Sequence, residues 1–341
     1  MKTRKLLCLV LSLLMLSAVS CQKDDTEVVY PEEVTENTLD EPQNESEETY
    51  PEESTAAHDV PQNEPEEVVN MVLHNVKDYG AVGDNKTDDT EAFKKAVSEA
   101  EKDGLPVYVP AGTYIISDTI TLKSVTLYGY KSGAWTADDC GLPKIEQANM
   151  NAPLFDVRSG SVAGLNIQSH GKSGDSTMKP TIQITGTGGR VSNMRIHTPY
   201  IGIATDDTSN HGRCFIENIF IVEAKEIGVY VAGTYDVPCV NNVEVWNPEE
   251  TCPIAFKFAH NDDIRCVNLF AFNANVGFSI EKSKTGSCWG SFTNCSVDYT
   301  SIGFKVGEGD HHVTIVGGTW WTHHMGLNIV KNSEAFVAVS G

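Results

Sequence analysis

The chain has 341 residues, 47 of them acidic and 25 basic, and a formal net charge of −22. That balance argues against a nucleic-acid partner, which needs a basic surface to meet phosphates. Its nine cysteines include no CxxC spacing, which argues against a zinc site.

Residues 1–21 read MKTRKLLCLVLSLLMLSAVSC, a basic start, an apolar core and a run of small residues. This is the pattern of a secretory signal, too short and wrongly flanked for a spanning helix. The ending Ala18-Val19-Ser20-Cys21 resembles the lipobox of bacterial lipoproteins. The resemblance implies cleavage before Cys21, lipidation of its thiol, and a place on the bacterial cell envelope, facing the surface or the periplasm. An ordinary secretory signal cleaved nearby is the alternative. Residues 22–70 carry 17 acidic residues against one lysine, a net of −16, and repeat YPEE and PQNE. Such a segment has too few apolar residues to fold, and its charge extends it beyond a coil span of roughly 40 Å. It reads as a disordered tether. Residues 71–341 then carry only −9, so the overall acidity says little about the partner of this folded domain.

The domain opens with NVKDYGAVGDNKTDDTEAFKKAVSEAE at 75–101 and VYVPAGTYIIS at 107–117. Phe93, Ala96, Val97 and Ala100 make one helical stripe, with Asp88 or Asp89 as N-cap and Gly104 as the stop. Turn and cap chemistry accounts for Asp84, Asp88 and Asp89, with a metal cluster as the alternative. Over roughly residues 74–130 the sequence resembles the pectate-lyase-like superfamily, which includes rhamnogalacturonase-like and phage-tailspike proteins. The resemblance implies a right-handed β-helix whose amino-terminal end is closed by a short helix, and a polysaccharide partner.

From Asn193 onward a phrase recurs about every 25 residues: Asn193, Asn218, Asn242, Asn268 and Asn294, with Gly318 expected in the sixth place. Each is followed by apolar residues at a period of two, then by a small residue beginning a second strand: Gly202, Gly228, Ala255, Gly277, Gly303 and Gly326. A fixed interval of this size with strand periodicity means stacked coils of a parallel β-helix, an all-β fold. The asparagines form an expected ladder of amides. Cys214, Cys239, Cys266 and Cys295 lie within four residues of that ladder and are expected to fill the interior, with one or two disulfides as the alternative. Residues 333–341 begin a further coil that nothing after Gly341 closes, so a capping partner or a longer chain is expected.

In the family this domain resembles, the second strand floors the substrate groove. Its outward residues here are Ala204, Tyr230, Lys257, Ser279, Lys305 and Asn328, which places Lys257 and Lys305 roughly 10 Å apart. The turn leaving the strand is acidic, with Asp206, Asp207, Asp236, Asp262, Asp263, Glu308 and Asp310, and Arg265 beside one pair. Solvated acids and a cation or substrate site are both open for this turn. Lys257, Asp207 and Asp263 are the candidate catalytic residues. Tyr230, Lys305, Arg265, Asn328 and Trp320 are the candidate substrate contacts, and Asp206 and Asp262 the candidate metal ligands. Outward aromatics, Phe220, Trp246, Phe270, Phe272 and Trp320, form another face that suits a sugar platform or a homo-oligomer contact.

The aspartate phrases that polygalacturonases of this fold carry before the groove strand are absent here. Pectate lyases, with aspartates holding calcium and a lysine or arginine base, are nearer in kind. An inverting hydrolase needs two carboxyls roughly 6.5–9.5 Å apart, which Asp207 and Asp263 approach. The expectation is a protein that binds and cleaves an acidic or pectin-like polysaccharide, using Ca2+ if it is a lyase. The alternative is a non-catalytic carbohydrate-binding adhesin or assembly module.

Overall fold

The computed structural model describes residues 72–129, 143–205, 207–208 and 211–341. The expectations for the leader, Cys21 and the tether at 22–70 lie outside these residues, as do Cys140 and Asp206. The described strands join in a 24-stranded sheet of parallel pairs, wound into a right-handed-type solenoid of about nine turns. Each residue meets its equivalent one coil on. Met194 pairs with Ile219, Ile219 with Val243 and Val243 with Leu269.

The alternation seen in sequence now has a physical cause. Successive side chains point to opposite faces of a strand, and one face closes on the interior of the coil. Ile219, Ile221, Val243 and Val245 are fully buried there. From the groove strands Phe256, Phe278 and Phe304 stack along the axis, with ring centroids 5.1 and 4.5 Å apart. The small residues of those strands are required by close approach. A Cβ on Gly228 would lie 2.5 Å from Cγ2 of Val245 and 2.6 Å from the Ala255 carbonyl oxygen.

Asn193, Asn218, Asn242, Asn268 and Asn294 all adopt left-handed backbone, with φ between 52° and 54°. Asparagine tolerates that conformation better than most residues, and its amide can bond to the next coil. The Asn218 amide donates to Asn193, Asn242 to Asn218, and Asn294 to Asn268, at 3.1, 2.8 and 2.8 Å. The sixth place is Gly317 rather than Gly318. Thr293 pairs with Val316 and Val297 with Trp320, which sets Gly317, at φ 66°, beside Asn294. One residue of slip exchanges the two faces of a strand. Trp320 therefore points inward, where its indole packs 5.1 Å from Phe304 and donates to the Cys295 carbonyl at 3.0 Å. Trp321 is the outward residue and is 63% exposed.

The helix Thr90–Asp103 buries Phe93, Ala96, Val97 and Ala100 as expected, with Asp89 as its N-cap residue and Gly104 ending it in the left-handed region. The acids before it serve the backbone. Asp84 accepts from the Lys86 and Thr87 amides, Asp88 from Thr90, and Asp89 from Val82 and Gly83. Six described cysteines are free thiols, and all but half-buried Cys239 lie in the interior.

Candidate functional site

The outward row of the groove sheet runs in unbroken register from Ala204 through Tyr230, Lys257, Ser279 and Lys305 to Asn328. Lys257 and Lys305 are thus two coils apart on one flank. Around the row lies a cleft of about 1000 Å³ lined by Tyr230, Glu281, Lys305 and Glu308 and by the loops at 207–208 and 282–285.

Glu281 is the residue that sequence reasoning missed. It stands two positions beyond Ser279, on the same outward face. Its carboxylate takes Lys257 Nζ at 2.9 Å on one oxygen and the Ser279 hydroxyl at 2.8 Å on the other. Burial works to raise the Glu281 carboxyl, but the Lys257 and Ser279 hydrogen bonds and the charges of Lys257 and Lys305 outweigh it, leaving it below its ordinary range. Lys257 also lies 5.3 Å from the centroid of the Tyr230 ring. With its ammonium held by Glu281, Lys257 is not free to take a proton from substrate. Lys282, Lys284 and Lys305, by contrast, form no ion pair among the described residues.

The second missed feature is the loop 281–287. Ile280 to Asn294 is a step of 14 residues, against 11 from Val231 to Asn242 and 10 from Phe258 to Asn268, which start at equivalent places. The excess was a readable sign of a loop. It reaches toward the turn after Ile201–Ala204, three rungs away. Asp207 Oδ1 accepts from the hydroxyls of Thr285 at 2.6 Å and Ser283 at 3.0 Å, and Oδ2 accepts from the Lys284 amide at 3.1 Å. Burial raises the Asp207 carboxyl, yet these hydrogen bonds prevail and hold it below the ordinary carboxylate range. It is a fastening between loops. Neither Asp207 nor Glu281 is poised to donate a proton near neutral pH.

Other candidates lie elsewhere. Asp263 and Arg265 bond to each other at 3.1 Å, both more than half exposed, and neither lines the cleft. The structure therefore does not bring Asp207 and Asp263 together as a catalytic pair. Asn328 continues the row at the last coil, but there the cleft is lined by Val330. Trp320, being turned inward, does not reach it. Asp262 lines a second, smaller cleft, and no group of three His, Cys, Asp or Glu among the described residues could hold a metal. Asp206, the other expected metal ligand, lies outside the described residues.

The aromatic face survives without Trp320. Trp246 stacks on Phe272 at 4.7 Å, and Arg195 lies 4.7 Å over the Phe220 ring. Glu244 falls in register between Phe220 and Phe270, and burial pushes its carboxyl up to about 7.

Residues 73–137 match the family model described as rhamnogalacturonase A/epimerase, pectate lyase-like. A pre-neck appendage protein of Bacillus phage B103 is 52% identical over 52 residues, 15% of this chain and 6% of that protein. Alginate lyase 7 of Azotobacter vinelandii is 53% identical over 45 residues, 13% of this chain and 5% of that protein. The chain therefore spans only a small fraction of the curated relatives it matches. A phage tailspike, phiAB6, solved with oligosaccharides of Acinetobacter baumannii surface polysaccharide, aligns with a TM-score of 0.50 at 16% identity. That alignment covers 76% of this chain and 48% of the tailspike, and it bears on the fold.

Proposed function

We propose that this protein binds an acidic polysaccharide in the cleft over Tyr230 and Lys305, displayed on a bacterial envelope through lipidated Cys21. One observation carries the reading: Lys282, Lys284 and Lys305 line one cleft and form no ion pair among the described residues, in a domain that is acidic as a whole. Unpaired ammonium groups facing a groove favour a chain of repeated carboxylates, and the Tyr230 ring offers a face to sugar C–H groups. The family model ends at residue 137, before any of these residues, so the relatives inform the scaffold and the cleft itself supports the ligand class.

Cleavage is the second reading, favoured by the presence of Tyr230, Lys305 and Glu308 in the same cleft. In β-elimination Lys305 would neutralise a uronate carboxylate while Tyr230 or Glu308 took the adjacent C5 proton; the C4–C5 double bond would form as the C4–O bond broke, and the departing glycosidic oxygen would take a proton from water. A hydrolytic route through Asp207 is disfavoured, because its carboxylate is committed to the facing loop.

Binding is tested by calorimetry with oligogalacturonate and oligomannuronate. The triple variant K282A/K284A/K305A is expected to lose about tenfold or more in affinity, and wild-type affinity to fall as salt rises. Equal affinity in wild type and variant would refute the reading. The same oligosaccharides, incubated with and without calcium, test cleavage by the ultraviolet absorbance of an unsaturated product and by new reducing ends.

A further inference from the structure

A second cleft of about 360 Å³ adjoins the first and shares Thr285 with it. Its rims are aromatic and open: Tyr235 is 42% exposed and Trp289 47% exposed. Between them lie His260 and Asp262, one rung from each side, because Thr234 bridges to Asn261 and Asn261 pairs with Cys288. Tyr235 and Trp289 are thus about 10 Å apart along the stack. His260 and Asp262 take up part of that span, so Trp289 presents an open ring on one side of the cleft and Tyr235, with His260 against it, closes the other.

The base of the cleft is rigidly built. Asn261 is buried and donates to the Val231 and Ala259 carbonyls while accepting from the Thr234 hydroxyl. His260 meets the Tyr235 ring edge to face at 4.8 Å, and its Nδ1 lies 2.6 Å from Thr285 Oγ1. A Cβ on Gly286 would come within 2.8 Å of the imidazole, so only glycine lets the ring lie against that loop. The Thr285 hydroxyl gives its proton to Asp207, so His260 Nδ1 donates to Thr285 and Nε2 is left as an acceptor. Asp207, Thr285 and His260 therefore form one hydrogen-bonded partition between the two clefts.

We propose that the second cleft is a binding site for an uncharged pyranose. Trp289 covers one apolar face, Tyr235 with His260 borders the opposite side, and the Asp262 carboxylate accepts hydrogen bonds from its hydroxyls. The Asp262 backbone is bonded to Thr234 and Val237, but its carboxylate has no hydrogen-bonding or ion-pair partner among the described residues, and no lysine or arginine lines this cleft. An acidic sugar would meet a carboxylate there without a cation, whereas a neutral sugar supplies the donors that a carboxylate lacks. This goes beyond the reading of the first cleft and is tested with different probes.

The probes are four uncharged hexaoses, built from glucose, mannose, galactose and xylose, titrated against the full chain by tryptophan fluorescence and calorimetry. At least one is expected to bind. Its affinity should fall about tenfold in Trp289→Ala and in Tyr235→Ala, recover in Trp289→Phe, and stay unchanged at 0.5 M salt and in K282A/K284A/K305A. Thermal melts matching wild type would confirm that the variants fold. Absence of binding by all four, or equal binding by wild type and Trp289→Ala, would overturn the proposal. Loss of oligouronate binding bears only on the first cleft, so the two failures are distinguishable.

Discussion

Glu244 shows how neighbours on adjacent coils change the chemistry of one residue. In sequence it is one more acid on a strand, and only the register reveals Phe220 and Phe270 on either side. Their bulk withholds water from the carboxylate, so its folded value rises from the ordinary 4.5 to about 7. A raised value means that this group contributes its stability below about pH 4.5 and loses it as pH climbs through 7. Glu244→Gln should accordingly stabilise the domain by about 1–2 kcal/mol at pH 8 and leave it unchanged at pH 4, as read by chemical denaturation. Glu281 presents the opposite balance. It is also partly buried, but Lys257 and Ser279 hold its charge, and the net shift is downward. Phe220, Phe270 and Lys257, which set much of this difference, lie a whole coil away, so neither residue's character was legible from its own stretch of sequence.

The left-handed asparagine is the most informative local signal at the level of elements. It marks the same bend in each coil, and its amide joins that bend to the next. The two contributions can be separated at Asn242, where φ is 52° and the amide donates to Asn218 at 2.8 Å. Asn242→Gly keeps the backbone conformation and loses the hydrogen bond, costing about 1 kcal/mol. Asn242→Ala loses both, and about 2 kcal/mol or more is expected in urea unfolding. The sixth repeat shows where reading by motif fails. Both Gly317 and Gly318 satisfy a glycine-for-asparagine match, and sequence offers no means to choose between them. The hydrogen-bonded register chooses Gly317, and Trp320 turns into the core in consequence. The helix over Thr90–Asp103 was ambiguous only at its start, where Asp88 and Asp89 both qualified as N-cap, since its apolar stripe and terminal Gly104 point to one C-terminal boundary.

Across the solenoid domain, the candidate site is a property of loops meeting over a regular floor. His311 holds one of those loops: Nδ1 accepts from the Cys288 amide at 3.1 Å, and Nε2 donates to the Glu308 carbonyl at 3.0 Å. Burial lowers its pKa, outweighing the upward pull of the Glu308 hydrogen bond and the Asp310 charge. A lowered value in the folded state means full stability above about pH 6.5, lost as pH falls and the unfolded chain takes up the proton. The domain should therefore lose stability between pH 7 and pH 5 through this residue. His311→Gln should flatten that part of the stability profile, measured by urea midpoints across pH. By itself, the sequence determined the winding, the interior face, the capping helix and the outward row carrying Tyr230, Lys257 and Lys305. Those features follow from spacing along one strand or between adjacent coils, and side-chain alternation writes them locally. Only the tertiary structure decided that Asp207 is fastened to Thr285, 78 residues on, that Lys257 belongs to Glu281, and that Asp263 stands outside the cleft. Loop length and coil stacking together set which turns can touch, and no repeat taken singly contains that information.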